Sequence, residues 1–573
     1  MPSPSEIVAG RLRAAFATID PEADPVLRAS DHADFQSNGA IGLAKRLGRN
    51  PVELASSIVD LAKLDDCCEL VEVSGPGFIN LTLASAFIAT TASALIDDER
   101  LGTIPASRHE RIVVDYSAPN VAKEMHVGHL RGTVLGDALC RLLSFVGHDV
   151  IRENHIGDWG TPFGMLIEHL LDVGEEVAVG ELSVGDLTNF YQGARASFDR
   201  DEGFRDRARR RVVALQSGDE ETLRLWRTLV AGSINYFDEV YDKLGVLLTD
   251  DDLAGESSYN PLLSDVVDDL RSKGLLVESE GALCVFPEGF FDREGEPFPL
   301  IIQKSDEGFG YAATDLAAIR DRVDRLGADR LLYVVGAPQA QHFEMCFAVA
   351  RLAGWLPPSV EVEHVSFGNV LGADHKMLRT RSGESVKLIE LLDEAVARAL
   401  AAIHERDQGM SEVDQAEVAR MLGIGSVKYA DLSTERARDY LFDFDRMLAF
   451  EGNTAPYLQY AHARIRSIFR RGGFSPPEHG TTLLVEDPHE RELALALLSF
   501  PDHLGSTLSG LAPNRLCAYL FSLATAFTGF YENCPILRAE GAVQASRLAL
   551  ADLTARTLDL GLSLLGISVP EQM

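Results

Sequence analysis

The sequence of 573 residues lacks the features of a secreted or membrane-embedded protein. No hydrophobic run of the signal-peptide type opens it, and no apolar stretch is long enough to span a bilayer. Its seven cysteines are scattered, odd in number and without a C-x-x-C pair, which argues against both a disulfide framework and a zinc cluster. We therefore expect free, mostly buried thiols, no metal site, a cytoplasmic location and no membrane partner.

The sequence also has no excess of positive charge. It contains 53 Lys and Arg and 87 Asp and Glu, which gives a net charge of −34. Nucleic-acid binding usually requires a basic surface. Whole-chain charge, however, mainly affects solubility and long-range steering, whereas a bound polyanion touches only selected faces. Two local clusters are basic, Arg205–Arg211 and His462–Arg471. The first is best interpreted as a solvated helix face, whereas the aromatic residues beside the second favour contact with nucleic acid.

The length predicts three or four structural units, because one hydrophobic core does not serve a chain of this size. Residues 1–108 mix strands with helices, one of which is predicted over Lys45–Ala55. Residues 109–385 alternate strand and helix, which is typical of an open α/β sheet, and a charged helical insertion interrupts them near 175–250. Residues 386–573 show helical periodicity and almost no strand signal.

The most informative segment runs from Arg111 to Gly164. A β-branched strand at Ile112–Val114 enters a polar loop, which is followed by H-V-G-H at His126–His129 and by a helix predicted from about Leu130 to Phe145. This order places histidines and free backbone N–H groups at the positive end of a helix and at the carboxyl edge of a parallel sheet, where polyphosphates bind. Gly128 leaves room for a flat base or ribose. Taken alone, the tetrapeptide is equally compatible with a helix cap, a structural histidine pair or half of a zinc site.

The longer stretches S-A-P-N-V-A-K-E-M-H-V-G-H-L-R and N-H-I-G-D-W-G-T resemble class I aminoacyl-tRNA synthetases and, within that class, the arginyl-tRNA synthetase family. The resemblance implies a multidomain α/β protein, with a Rossmann-like catalytic domain, an N-terminal α+β domain that contacts tRNA and a C-terminal all-α anticodon-binding domain. It implies ATP-dependent ligation of L-arginine to tRNA(Arg) through an arginyl-adenylate. Mg²⁺ is expected to accompany ATP without a dedicated protein site, and we expect a monomer. The resemblance leaves open whether adenylate formation requires bound tRNA.

The second class I signature, K-M-S-K, is absent in its usual form, and G-A-D-H-K-M-L-R-T-R stands at the matching place. Its cations Lys376, Arg379 and Arg381 suit the charge that develops on departing pyrophosphate, and all three are predicted to bind ATP. Arg381 matches the second lysine of the standard motif and is predicted to be catalytic. The alternative is an ordinary charged turn at Ser382-Gly383.

The resemblance also implies the roles of the residues around H-V-G-H. His126 and His129 are predicted to be catalytic and, with Gly128, to bind ATP. Many arginine enzymes with a degenerate second loop carry a lysine just ahead of the histidines, and Lys123 occupies that place. Lys123 is therefore predicted to be a further catalytic residue.

A site for arginine should collect acidic groups, because a guanidinium presents five donors in a planar fork. The resemblance assigns arginine binding to six residues in family order: Asp115, Asn120, Glu256, Tyr311, Asp315 and Gln339. Tyr311 and Asp315 are four apart and are predicted to share one helix face, with the ring on the aliphatic stem of arginine and the carboxylate facing its guanidinium. Each residue viewed singly is compatible with a surface or cap position.

The C-terminal stretches Leu432–Arg464 and Asn514–Leu537 resemble the anticodon-binding domain of the same family. Tyr457, Tyr460 and Arg464 are predicted to share one helix face and to bind tRNA, since aromatic rings and arginines suit unstacked bases. A stripe of this kind also occurs in helical cores.

Two rival functions fit parts of the sequence. A non-catalytic tRNA-binding paralogue would not need the intact histidines and cationic loop. Another H-x-G-H ligase that forms adenylates would not need the C-terminal anticodon-type domain. An arginine-dependent ATP–pyrophosphate exchange assay, with and without tRNA, discriminates among these functions.

Overall fold

The computed structural model of the chain describes residues 2–175, 187–305, 308–379, 386–405 and 409–573. The strands are β1 (Leu27–Ala29), β2 (Phe35–Ser37), β3 (Cys68–Ser74), β4 (Phe78–Leu83), β5 (Arg111–Asp115), β6 (Asp149–Glu153), β7 (Val277–Ser279), β8 (Ala282–Val285), β9 (Leu300–Gln303), β10 (Arg330–Tyr333), β11 (Glu361–His364), β12 (Val370–Leu371) and β13 (Tyr440–Leu441). The α-helices are α1 (Pro4–Ala17), α2 (Gly39–Leu47), α3 (Pro51–Ala62), α4 (Ser85–Ala94), α5 (Val127–Phe145), α6 (Pro162–Val173), α7 (Leu187–Arg200), α8 (Glu202–Gln216), α9 (Glu220–Leu244), α10 (Asn260–Ser272), α11 (Tyr311–Asp324), α12 (Ala340–Leu352), α13 (Leu388–His404), α14 (Glu412–Leu432), α15 (Phe444–Met447), α16 (Ala455–Gly472), α17 (Pro488–Leu498), α18 (Phe500–Ser509), α19 (Pro513–Asn533) and α20 (Gly541–Leu564). Within the described residues, no helix is both long and apolar enough to cross a membrane.

The chain divides into two compact units. The first contains Met1–Pro105, Ala449–Ser563 and Ser568–Met573, and the second contains Ala106–Leu448 and Leu564–Ile567. Residues 386–448 thus group with the sheet of the second unit, whereas the predicted division placed them with the C-terminal helices. A physical reason is the buried ion pair of Arg131 in α5 with Asp431 in α14, at 3.2 Å. The three-domain boundaries stay a prediction.

The first unit contains an antiparallel sheet of order β1-β2-β4-β3. Local signals explain its helix starts: Ser3 and Glu6 form a capping box at α1, and the Asn50 side chain caps α3. The predicted helix over Lys45–Ala55 is wrong, because Gly48 ends α2 in the left-handed conformation with φ of 63° and α3 is a separate helix.

Helices α16 to α20 complete the first unit and are bonded to its N-terminal part. Arg491 of α17 donates to both carboxylate oxygens of Asp34, at 2.8 and 2.6 Å. Arg556 of α20 donates to the carbonyl oxygens of Ile96 and Asp98, at 2.7 Å each. Charge-assisted hydrogen bonds therefore join segments that are distant in the sequence.

The second unit is built around a parallel sheet of order β11-β10-β5-β6. Ile112, Val113 and Val114 of β5 are buried, as expected for a central parallel strand covered on both faces. The chain passes from β5 through α5 to β6 on one side, and from β10 through α12 to β11 on the other. The strand order therefore reverses between β5 and β10. Open α/β sheets bind their ligands outside the carboxyl ends of the strands at such a point.

A buried ion network joins the strand ends of this sheet. Arg322 of α11, whose side chain is 1% exposed, donates to Asp115 at 2.8 Å and to Glu153 at 2.5 Å. These two carboxylates end β5 and β6, respectively. The guanidinium also lies 5.0 Å from the ring centroid of Tyr333, which ends β10. One cation thus contacts the ends of three neighbouring strands.

Replacing Arg322 with Met is expected to destabilise the second unit by about 3–5 kcal/mol, because two buried carboxylates lose their counter-ion. Urea unfolding followed by tryptophan fluorescence measures this effect, since all three tryptophans lie in the second unit. Arg325→Met is the matched control at the C-cap of the same helix, where the lost partner is Asp321 and the arginine side chain is 64% exposed. A wild-type unfolding midpoint for the Arg322 variant would show that the sheet does not depend on the network.

Candidate active site

The signature histidines lie at the N-terminus of α5, the helix that follows β5. His126 is the N-cap residue and His129 lies in the first turn, with the two ring centroids 4.1 Å apart. The helix thus begins at Val127, three residues before its predicted start. Nδ1 of His126 accepts a hydrogen bond from the N–H of Gly128 at 3.0 Å, and Nδ1 of His129 accepts one from the N–H of His126 at 3.1 Å. Both rings therefore cap the helix through Nδ1.

These two hydrogen bonds determine the tautomer of each ring. A ring nitrogen that accepts from a backbone N–H carries no proton, so each neutral imidazole holds its proton on Nε2. Burial lowers the pKa of His129 to about 3, and burial together with the charge of Lys123 lowers the pKa of His126. Both rings are thus neutral at physiological pH, and each has an Nε2–H to donate.

The position of the His126 ring requires a glycine at residue 128. A Cβ at Gly128 would lie 2.7 Å from Cε1 and 2.8 Å from Nδ1 of the His126 ring, which are distances that side-chain atoms do not tolerate. The missing side chain therefore lets the imidazole reach back to the backbone. The predicted contact of Gly128 with a nucleotide stays a prediction.

Lys123 is exposed and lies near both histidines. Its positive charge therefore contributes to the lowered pKa of each ring. Its Nζ lies 4.6 Å from the ring centroid of Tyr191 in α7, within the helical insertion. This cation–π contact holds the ammonium without neutralising it.

The cationic loop follows β12. Gly372, Lys376 and Arg379 contribute to the lining of an open cavity of 690 Å³, and both cationic side chains are exposed. The backbone N–H of Gly372 donates to the carbonyl of Lys376 at 2.8 Å, which closes a tight turn. Arg381 lies outside the described residues.

The segment that follows the cationic loop is bonded to the histidine segment. The N–H of Val127 donates to the carbonyl of Val386 at 3.0 Å. The ammonium of Lys387 donates to the buried carboxylate of Glu124 at 2.8 Å. The end of the loop is thus anchored at the start of α5, although the two segments are distant in the sequence.

Acidic groups predicted to bind arginine meet around the start of α11. Oδ2 of Asp315 lies 2.5 Å from Nε2 of His342 in α12, and this hydrogen bond raises the pKa of the imidazole. Burial, followed by the charges of Asp158 and Asp315, raises the pKa of Glu256 to about 8. Asp158 is itself buried and accepts bonds from the N–H and hydroxyl of Ser257, at 2.8 and 2.6 Å. Two carboxylates that lie close enough to raise the pKa of a third suit a cationic ligand.

The other residues predicted to bind arginine differ in their surroundings. Tyr311 begins α11 and is 73% exposed, and Asn120 and Gln339 are also exposed. Asp115 is buried instead, and its Oδ2 already accepts a bond from Arg322. The roles of these residues towards arginine stay predictions.

Glu256, Asp315 and Asp158 form an acidic cluster, and of this cluster and its partner His342, Asp158 and His342 were not predicted. His342 lies in P-Q-A-Q-H, three residues after the predicted Gln339, and Asp158 lies in N-H-I-G-D-W-G. Asp158 is inside a motif that the sequence analysis singled out, and His342 is close to a residue that was predicted to bind arginine. Their partners come from other elements, so the motifs alone could not assign them.

The residues predicted to bind tRNA lie on α16 in the first unit. The Tyr457 ring centroid lies 5.5 Å from that of Phe521, and the Arg464 guanidinium lies 4.3 Å from that of Tyr531. Both partners belong to α19, so two of the three predicted residues pack against a neighbouring helix. Tyr460 is 41% exposed.

The basic cluster on α8 has internal partners. Arg207 and Arg211 donate to the buried carboxylate of Glu168 at 3.0 and 2.8 Å, and Arg207 also pairs with Asp172 at 2.6 Å. These ion pairs fix α8 to α6.

Comparisons with known proteins match the whole length of the chain. Family models match residues 5–83 as an arginyl tRNA synthetase N terminal domain, 90–444 as a tRNA synthetases class I (R) catalytic domain and 458–573 as a DALR anticodon binding domain. The arginine–tRNA ligase of Thermobifida fusca is 58% identical over 100% of both chains, and that of Frankia casuarinae is 51% identical over 98% of this chain and 97% of the relative. The crystal structure of arginyl-tRNA synthetase from Plasmodium falciparum is 30% identical, covers 100% of both chains and has a TM-score of 0.85.

These matches confirm the predicted family and fold class. The catalytic-domain model alone covers more than half of the chain, and full-length relatives exceed half identity. The chain belongs to the arginyl-tRNA synthetase family of class I aminoacyl-tRNA synthetases.

Proposed function

We propose that this chain ligates L-arginine to tRNA(Arg) in two steps. The arginine carboxylate attacks the α-phosphate of ATP, and pyrophosphate leaves as the arginyl-adenylate forms. A hydroxyl of the terminal adenosine of the tRNA then attacks the arginyl carbonyl, and AMP leaves. The protein forms no covalent bond, so its contribution is alignment and charge stabilisation.

The histidine pair is the main support for the first step. Each neutral ring of His126 and His129 has an Nε2–H, because its Nδ1 is bonded to the backbone. Neutral donors that are already oriented can bond to phosphate oxygens as negative charge develops, without reorganisation at the moment of reaction. The start of α5 adds the partial positive charge of its dipole.

The cations are proposed to stabilise the departing pyrophosphate. Lys123 contacts the histidine pair electrostatically, and Lys376 and Arg379 are exposed on their loop. Arg381 belongs to the same proposed set on its sequence alone. Lys123 is proposed to compensate for the missing K-M-S-K, because it adds a positive charge next to the signature histidines.

The acidic cluster is proposed to bind the arginine guanidinium. Asp315 and Glu256 are its acidic ligands, and Tyr311, Asn120 and Gln339 supply neutral contacts. Asp115 differs from the other members of the predicted set, because Arg322 already occupies its Oδ2. Recognition of a guanidinium by several hydrogen-bond acceptors gives strong discrimination against side chains that cannot donate to them.

Magnesium is proposed to enter with ATP as the counter-ion of its phosphates. Among the described residues, the grouping of three metal-ligating side chains contains a thiol and an imidazole, which do not suit Mg²⁺. We also propose that the enzyme is a cytoplasmic monomer of three domains, and that Tyr457, Tyr460 and Arg464 contact the tRNA. Tyr460 is the most open of the three for stacking on a base.

Replacing His126 or His129 with Ala is expected to lower arginine activation by about 10²–10³-fold, the usual effect of losing a transition-state donor. Arginine-dependent ATP–pyrophosphate exchange, with and without tRNA, measures the rate. His404→Ala, at the exposed end of α13, is the control and should exchange at the wild-type rate. If both signature variants exchange at the rate of the unmodified enzyme, the histidines have no catalytic role. If the unmodified enzyme binds tRNA but shows no exchange at all, the chain is better described as a non-catalytic paralogue.

Asp315→Asn keeps the shape of the side chain but removes its charge, so arginine binding should weaken by about 1.5–3 kcal/mol, or roughly 10- to 150-fold in Kd. ATP affinity should hardly change. Asp321→Asn, on the same helix but paired with Arg325, is the matched control. Separate titrations with arginine and ATP distinguish the outcomes, and a loss confined to ATP would place the pocket elsewhere.

Arginine affinity is expected to rise with pH as Glu256 ionises. Its pKa is raised to about 8, so the carboxyl is mostly protonated at pH 7 and gains the charge that attracts a guanidinium as pH increases through 8. Well below this pKa, ionisation of Glu256 is expected to lower the Kd for arginine by up to about tenfold for each unit of rising pH. Glu256→Gln should remove this pH-dependent component, so binding of arginine to the two proteins is compared by calorimetry over roughly pH 6.5 to 9, which brackets the pKa. Identical pH profiles would exclude Glu256 from the pocket.

A further inference from the structure

Asp315, His342 and Cys346 converge at the base of the acidic cluster. His342 and Cys346 are four residues apart on α12 and share one face of it, whereas Asp315 comes from the first turns of α11. Cys346 Sγ lies 3.6 Å from His342 Nε2, which lies 2.5 Å from Asp315 Oδ2. One ligand atom from each residue lies within 4.8 Å of the other two.

We propose that Asp315, His342 and Cys346 form a Zn²⁺ site inside the arginine pocket, and that Zn²⁺ and arginine exclude each other there. The Zn²⁺ site follows from these three side chains alone. The mutual exclusion rests on the proposed function, because it requires Asp315 to bind the guanidinium.

The ligand set suits zinc. A thiolate, an imidazole and a carboxylate are the three side-chain types that Zn²⁺ accepts, and two ligands at positions i and i+4 of a helix can reach one ion. With metal–ligand distances of about 2.0–2.3 Å, tetrahedral ligand atoms are separated by roughly 3.3–3.5 Å. The separation of Cys346 Sγ and His342 Nε2 is already close to that value. The Asp315 oxygen has only to move back from the imidazole when the ion replaces their hydrogen bond.

The burial of the three groups indicates how an ion would enter. The side chains of His342 and Asp315 are 33% and 17% exposed, whereas Cys346 is fully buried. The ion therefore approaches past the imidazole and carboxylate and meets the thiol last. Three protein ligands leave the fourth tetrahedral position for water.

The charge of the surroundings also favours a cation. Asp315 is close enough to Glu256 to affect its protonation, and Asp158 lies near Glu256 as well. On binding, the thiol of Cys346 releases its proton to solvent, and His342 coordinates through Nε2 as a neutral imidazole whose one proton is then on Nδ1, so the divalent ion replaces the thiol proton.

The exclusion follows from the shared oxygen. An Oδ2 that coordinates Zn²⁺ cannot also accept a short hydrogen bond from a guanidinium, and the ion would add positive charge where arginine carries its own. Zinc is therefore expected to raise the KM for arginine without changing the KM for ATP.

Cobalt(II) is the probe for the site, because it takes the same tetrahedral ligands and gives a thiolate-to-metal charge-transfer band when sulfur coordinates. The full-length enzyme, freed of metals by chelator, should develop this band with one equivalent of Co²⁺, and Zn²⁺ should abolish it. Cys346→Ser should lose the band and bind Co²⁺ at least about 100-fold more weakly, since loss of even an outer-sphere partner costs roughly 10–100-fold. Cys284→Ser, another buried cysteine of the second unit, is the matched control and should keep the band.

His342→Gln provides a second variant that leaves the buried thiol in place, and it should weaken Co²⁺ binding by a similar factor. Absence of a thiolate band in the wild type, or an unchanged band in Cys346→Ser, overturns the site. Arginine added to the cobalt form should bleach the band, whereas ATP should not. A band that saturating arginine leaves intact overturns the exclusion, and exchange activity measured on the metal-free enzyme separates that result from a failure of the proposed function.

Discussion

The buried guanidinium of Arg322 sets the positions of the strand ends from which the catalytic unit is built. It bonds to Asp115 and Glu153 at the ends of β5 and β6 and packs on Tyr333 at the end of β10. Such a network does little for net stability compared with apolar packing, but loss of one partner leaves an uncompensated charge in the core. The loop that leads to the histidines begins at the end of β5, the loop that carries Asp158 begins at the end of β6, and Arg322 shares α11 with Asp315, so this one cation connects the elements that carry these site residues.

The site separates two kinds of charge recognition. The start of α5 presents neutral imidazole donors, with the ammonium group of Lys123 nearby. Around α11, carboxylates accumulate, and burial, followed by the charges of Asp158 and Asp315, raises the pKa of Glu256 to about 8. A molecule that carries both a polyphosphate-activated carboxyl group and a guanidinium is complementary to this arrangement. The whole-chain charge of −34 is compatible with such local selection, because charges beyond a Debye length are screened.

Family, fold class and function could be predicted because long motifs survive in the order and spacing that the chemistry needs. The start of α5 was missed by three residues, since His126 and His129 cap the helix with Nδ1, which is not a usual capping group. The helix over Lys45–Ala55 was wrong because continuous helical spacing does not reveal that Gly48 turns left-handed. Residues 386–448 group with the sheet because Asp431 meets Arg131 across a long stretch of sequence.

The sequence by itself was enough to identify the histidine pair, the loop that contains Lys376 and the acidic residues Asp315 and Glu256 as candidate site residues. Each of them lies in a contiguous motif. Only the tertiary structure decided which of these groups meet. It paired Asp115 with Arg322, brought His342 and Cys346 to Asp315, and joined Glu124 to Lys387. The physical reason is that ion pairs, hydrogen bonds and pKa shifts depend on distances of a few ångströms between elements, and no local pattern encodes those distances.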